Sequence, residues 1–172
     1  MKASLKPPYM IALMRKLEIW VILLSTFLME TAPTAANSLM RQGYLDEQFI
    51  QLEELQDAEN PNFVEEVVTM YYRDSARLIQ NIEQALEKNP LDFAKLDNNM
   101  HQFMGSSSSI GAKKLKNECT QFNECCKTGN GEGCKRTFQQ VKKEYAALKK
   151  KLEQYFQFSR QIGPVEKACR PK

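Results

Sequence analysis

From residue 60 onward the apolar residues of this chain recur at steps of three and four through four successive segments. No stretch shows the convincing alternation that a half-buried strand requires. The first segment follows Asn60-Pro61, where Asn suits an N-cap and Pro a first helical turn, with Glu65 and Glu66 just inside. Phe63, Val67, Met70, Tyr71, Leu78, Ile82 and Leu86 trace its apolar face towards a stop near Asn89-Pro90. Phe93, Leu96, Met100, Phe103, Ser107 and Ile110 mark the second segment. Leu115, Cys119, Phe122 and Cys126 mark the third, closed by a glycine-rich turn from Gly129 to Gly133. Cys134, Phe138, Val141, Tyr145, Leu148, Leu152 and Tyr155 mark the last. Helices of this kind bury a stripe only against other stripes, and short connections make sequential neighbours antiparallel. The predicted fold is therefore all-α: an antiparallel four-helix bundle with one or two additional short N-terminal helices, around residues 35–42 and 46–56. The length suits one domain, placed at residues 34–162, with an N-terminal extension at 1–33 and a tail at 163–172.

The second segment holds the chain's single histidine, His101. It follows Met100 by one residue, about 100° round the helix and off the apolar stripe, so the imidazole is expected to face solvent in mid-helix. Gly105 lies one turn above it, followed by Ser106 through Ser109. A mid-helix glycine costs about 0.5–1 kcal/mol relative to alanine. Weak helix formers beside an outward-facing imidazole read as space cleared for another surface. No Ser–His–Asp or Cys–His arrangement accompanies His101, which argues against hydrolytic chemistry. Gly129, Gly131 and Gly133 follow no strand, so they form no phosphate-binding loop. What remains is chemistry that one imidazole performs alone. The neutral ring is nucleophilic near pH 7 and can hold a phosphoryl group as a labile phosphoramidate.

The stretch His101-Gln102-Phe103-Met104-Gly105, the serine run and Ile110-Gly111-Ala112 resemble the phosphoacceptor helix of plant histidine-containing phosphotransfer proteins. Gly43-Tyr44-Leu45-Asp46-Glu47-Gln48-Phe49, Leu55-Gln56-Asp57, Asn62 to Val68 and Gln139-Gln140-Val141-Lys142 are similar to the same family, so the likeness spans roughly residues 38–162. It implies that His101 is the phosphoacceptor and that Asp97, Asn98, Gln102, Met104, Gly105 and Ser108 belong to the face that docks a partner. It also implies partners that are receiver domains of hybrid histidine kinases and of response regulators, in cytokinin-type signalling in cytoplasm and nucleus. A monomer with no cofactor and no metal of its own is expected; Mg²⁺ would belong to the receiver. One departure stands out. The family places Lys three residues after the histidine, where this chain has Met104. Without that ammonium the chain could instead be a transfer-impaired competitor that occupies receivers.

Charge is divided along the chain. Residues 30–100 hold 5 Lys or Arg against 14 Asp or Glu, and residues 101–172 hold 15 against 6. Salt bridges between the halves, or steering of an acidic partner by the basic half, both fit. The overall charge of +3 and the lack of a DNA-binding motif argue against nucleic acid as partner. Of the five cysteines, Cys119, Cys126 and Cys134 read as core thiols, and Cys125 and Cys169 complete an odd set without metal-ligand spacing. The amino terminus points elsewhere. Lys2, Lys6, Arg15 and Lys16 precede an apolar run at residues 19–29, with small residues at Ala32 to Ala36. That is the layout of a secretory signal peptide or an anchor, so a secreted or membrane-anchored bundle is a third reading. An atypical extension of the domain and an artefact of where translation was taken to start are the other readings of residues 1–33.

Overall fold

The computed structural model describes residues 35–162. They form six helices: α1 (Ala35–Arg41), α2 (Glu47–Glu54), α3 (Phe63–Leu86), α4 (Phe93–Ser109), α5 (Lys113–Lys127) and α6 (Gly131–Ile162). Helices α3 to α6 each pack on the next, and α6 returns to α3, which closes a four-helix bundle. The two short helices pack on it, α1 against α6 and α2 against α4. The expected architecture is borne out. The signal-like run at 19–29 and the tail with Cys169 lie outside the described residues.

In α3 the expected apolar face is one residue out of phase at its start. Val64, Val68, Tyr71, Ser75, Leu78, Ile82 and Ala85 are buried, an unbroken alternation of four and three. Phe63 and Val67 are half-buried, and Met70 is 56% exposed. The pairs Phe63-Val64 and Val67-Val68 are apolar in both phases, so hydrophobicity alone does not separate them. The helix also starts later than Asn60-Pro61 suggests. The Asp57 carboxylate accepts the backbone N–H groups of Glu59 and Asn60, which holds that stretch in a turn. Asn62 is the cap residue but makes no side-chain cap bond; Gln56 Oε1 accepts the Val64 N–H instead.

Two turns depend on glycine. Gly111 (φ +70°) and Gly129 (φ +65°) follow α4 and α5 in left-handed backbone. Each ends its helix with the same pair of bonds: Ala112 N–H to Ser107 O with Gly111 N–H to Ser108 O, and Asn130 N–H to Cys125 O with Gly129 N–H to Cys126 O. The expected turn through Gly133 is shorter than read, because Gly131 and Gly133 already lie in α6. Asn130 accounts for this. Its side chain accepts the Gly133 N–H and its carbonyl accepts the Cys134 N–H, so the helix starts at once.

The opposite charges of the two halves meet within the fold. Lys116 pairs with Asp46 (2.8 Å), Lys142 with Glu83 (2.7 Å) and Arg160 with Glu65 (3.6 Å). Lys149 lies over the Tyr72 ring, and Lys114 and Lys151 over Tyr44. Such exposed pairs are worth about 0–1 kcal/mol each. They show that much of the basic surface is already engaged by this chain's own acidic and aromatic groups.

Candidate functional site

The Asp92 side chain accepts the Lys95 N–H and starts α4. Leu96, Met100, Phe103, Ser107 and Ile110 are then buried, which fixes the helix's rotation. His101 falls on the opposite side, its side chain 52% exposed, in the middle of the helix. Asn98, Gln102 and Gly105 are exposed with it. Positions 98, 101, 102 and 105 stand at i, i+3, i+4 and i+7, so these residues make one continuous outward ridge. A Cβ added at Gly105 would meet nothing within 4 Å. No neighbour in the fold requires glycine there.

The other three candidates sit differently. Asp97 is half-buried, with one carboxylate oxygen 3.4 Å from His101 Nδ1 and the other buried without a hydrogen-bond partner. It faces the imidazole rather than the open ridge. Met104 is half-buried, and its sulfur accepts a long contact (3.9 Å) from the Thr120 hydroxyl of α5. Ser108 is half-buried and donates to the Met104 carbonyl. The serine run does more than clear space. Ser107 is fully buried, donates to Phe103 O, and meets the Tyr71 hydroxyl of α3 at 3.3 Å. A larger side chain there would push α3 and α4 apart.

One contributor was not legible as a site residue. Asn123 of α5 is 3% exposed and places its carboxamide 3.2 Å from His101 Nδ1. The same nitrogen lies 3.1 Å from the Asp97 carbonyl oxygen. Two acceptors on Asp97 favour the proton on Nδ1. Turning the Asn123 carboxamide over puts its oxygen on that N–H and gives the otherwise unpartnered buried oxygen a bond. In that tautomer Nδ1 is a donor held from two helices, and Nε2 carries the lone pair on a side chain that is half exposed. The sequence signal was a polar residue four positions after Cys119, on the buried face of α5. Asn123→Ala should slow any reaction at Nε2 by about fivefold, the worth of one hydrogen bond of about 1 kcal/mol. Paired initial rates and thermal melts would check this, with the melting temperature lowered by roughly 2–4 °C for the same lost bond.

No lysine or arginine is placed against the imidazole in any hydrogen bond or ion pair among the described residues. Nor does any group of three or more His, Cys, Asp or Glu side chains there suit a metal ion. No helix there is long and apolar enough to cross a membrane.

A mid-helix imidazole with a free nitrogen, carried on a closed four-helix bundle, defines the class, and comparison with known proteins agrees. The Hpt domain family matches residues 66–151. The chain belongs to the histidine-containing phosphotransfer family, and within it to the plant proteins. It is 68% identical over 118 residues to histidine-containing phosphotransfer protein 4 of Arabidopsis thaliana, covering 69% of this chain and 93% of that one. It is 56% identical over 140 residues to pseudo histidine-containing phosphotransfer protein 5 of Oryza sativa subsp. japonica, covering 81% of this chain and 92% of that one. Among solved structures it is similar to a histidine-containing phosphotransfer protein from Medicago truncatula. That match has 42% identity and a TM-score of 0.71 and covers 80% of this chain and 91% of the other.

Proposed function

We propose that this chain is a phosphorelay carrier in which Nε2 of His101 accepts a phosphoryl group from the aspartyl phosphate of a hybrid histidine kinase's receiver domain. It then passes the group to the aspartate of a response regulator. The observation that carries this reading is the state of the imidazole: Nδ1 is engaged by Asp97 and Asn123 while the ring remains half exposed on a smooth ridge. In transfer, the Nε2 lone pair attacks phosphorus in line as the aspartyl oxygen departs, and Asp97 stabilises the positive charge that develops on the ring. The bundle itself contributes orientation rather than bond chemistry. Gly105 and Gln102 leave room for the receiver's loops to close over the nitrogen and exclude water. The domain at residues 34–162 acts as a monomer, in cytokinin-type signalling between cytoplasm and nucleus. Incubation with a phosphorylated receiver should transfer acid-labile, base-stable label to this protein. Absence of label under conditions that load the Arabidopsis relative would refute the reading.

The second reading, a receiver-binding competitor with impaired transfer, is favoured by Met104. Its thioether stands where the family's lysine would bring an ammonium, and no other cation replaces it in the site's hydrogen bonds or ion pairs. The Asp97 carboxylate adds negative charge on the same side. Met104→Lys should therefore raise the rate of acceptance or lengthen the life of the phosphorylated form by about fivefold, the worth of one partly exposed charge interaction of about 1 kcal/mol. The gain should shrink at high salt. Side-by-side time courses with one phosphorylated receiver would check this. Identical courses would make Met104 an ordinary interface methionine.

A further inference from the structure

Three of the chain's cysteines gather where α5 turns into α6. Cys126 Sγ and Cys134 Sγ lie 3.6 Å apart, in van der Waals contact and not bonded. Both are buried, Cys126 at 5% exposure and Cys134 at 0%. They are eight residues apart, and the Gly129 turn between them holds the two helix ends against each other. Cys125 is half-buried, with its sulfur against the backbone of Gly133 beside Cys134, but only Cys126 meets the Cys134 sulfur; Cys119 is a further two turns back along α5. Phosphotransfer uses none of these thiols.

We propose that Cys126 and Cys134 are an oxidative modification site, a dithiol that closes to a disulfide with a peroxide as oxidant and thereby alters the setting of His101. In the first step the Cys126 thiolate, the less enclosed of the two, attacks one peroxide oxygen. The O–O bond breaks, water leaves after protonation, and Cys126 becomes a sulfenic acid. In the second step the Cys134 thiolate attacks that sulfur, an S–S bond forms, and the sulfenic oxygen leaves as a second water. Two thiol protons and two electrons pass to one hydrogen peroxide, giving two waters. A disulfide needs about 2.05 Å between sulfurs, so closure draws the end of α5 towards α6 by up to about 1.5 Å. Burial raises the pKa of both thiols, so closure should be slow at neutral pH and faster as pH rises.

The route to the site is short. Cys126 follows Asn123 by one turn on the same face of α5, and both are buried there. Asn123 is the residue that meets His101 Nδ1. Drawing this turn towards α6 moves the Asn123 carboxamide relative to the imidazole.

The test uses the full chain, reduced and then treated with graded hydrogen peroxide, with thiols blocked and the product digested by trypsin without reduction. The expected product is a link between peptides 117–127 and 128–135, with fragment ions placing it on Cys126 and Cys134, reversed by dithiothreitol. A link through Cys125, Cys119 or Cys169, or no link at peroxide levels that leave the helical signal intact, would overturn the proposal. This arm needs no variant and is independent of the relay function. The second arm rests on His101 as phosphoacceptor: label uptake by the oxidised protein should fall at least threefold and recover on reduction, and Cys134→Ala should be insensitive to peroxide. If the reduced protein takes up label and the disulfide forms without changing the rate, the coupling is wrong while the relay stands. If the reduced protein takes up none, the relay reading fails and the peptide map still decides the modification site.

Discussion

His101→Gln should abolish phosphoryl acceptance and leave the fold unchanged. The imidazole is half exposed and its hydrogen bonds are confined to Nδ1. Glutamine supplies an amide of similar reach that can keep a donor on the Asp97 carbonyl, but its nitrogen has no free lone pair to attack phosphorus. The expected loss in transfer is therefore complete within detection, at least a thousandfold. The expected change in stability lies within the ±0.5 kcal/mol typical of surface substitutions. Label uptake with a phosphorylated receiver, set beside circular dichroism and a thermal melt, would check both halves. Residual uptake by the variant would move the acceptor to another residue.

The largest effect on the fold should come from Gly111→Ala. Gly111 has φ +70°, where an L side chain is strained, and a Cβ there would stand 2.5 Å from Asp46 Oδ1 and 2.9 Å from the Phe49 backbone nitrogen. The carboxylate could shift, but it caps α2 through Gln48 and pairs with Lys116. The backbone nitrogen belongs to α2 and cannot move unless that helix lifts. Strain of about 1–2 kcal/mol for the backbone and about 1–3 kcal/mol for overpacking together suggest a loss of about 3 kcal/mol. In a domain of this size that lowers the melting temperature by roughly 6–12 °C. Phe49 and the α2 amides should lose hydrogen-exchange protection first. A melt within 2 °C of the parent would show that α2 does not depend on this turn.

The fold was legible because its evidence is periodic. Leu96, Met100 and Phe103 repeat in one phase with Lys95, Asp97, Asn99, His101 and Gln102 beside them, so the orientation of α4 and the exposure of His101 followed from spacing. Where apolar residues stand in adjacent pairs, as at Phe63-Val64 and Val67-Val68, two phases compete. Only the tertiary neighbours decide between them, with Ser75 and Ala85 completing the buried row. Ser107 was legible by phase in spite of its hydroxyl: it stands four residues after Phe103 on the buried stripe, and the hydroxyl is satisfied by Phe103 O and Tyr71 within the core. Asn123 and the Cys126–Cys134 contact depend on how α5 lies against α4 and α6. Each joins residues that are distant in helical phase or in sequence, and no local pattern encodes such a meeting. Gly105 was legible in the opposite way, as a residue that the fold itself does not require.

The central claim is that Nε2 of His101 carries the phosphoryl group, and the most direct test is to find which atom bears it. Protein labelled with ¹⁵N in its one histidine, phosphorylated by a receiver and observed by ³¹P and ¹⁵N magnetic resonance under alkaline conditions, reports the bonded nitrogen through its coupling to phosphorus. The expected spectrum shows a single phosphoramidate, its phosphorus coupled to Nε2 and not to Nδ1. Phosphorus coupled to Nδ1, or bound to oxygen with no coupling to the imidazole, would contradict it.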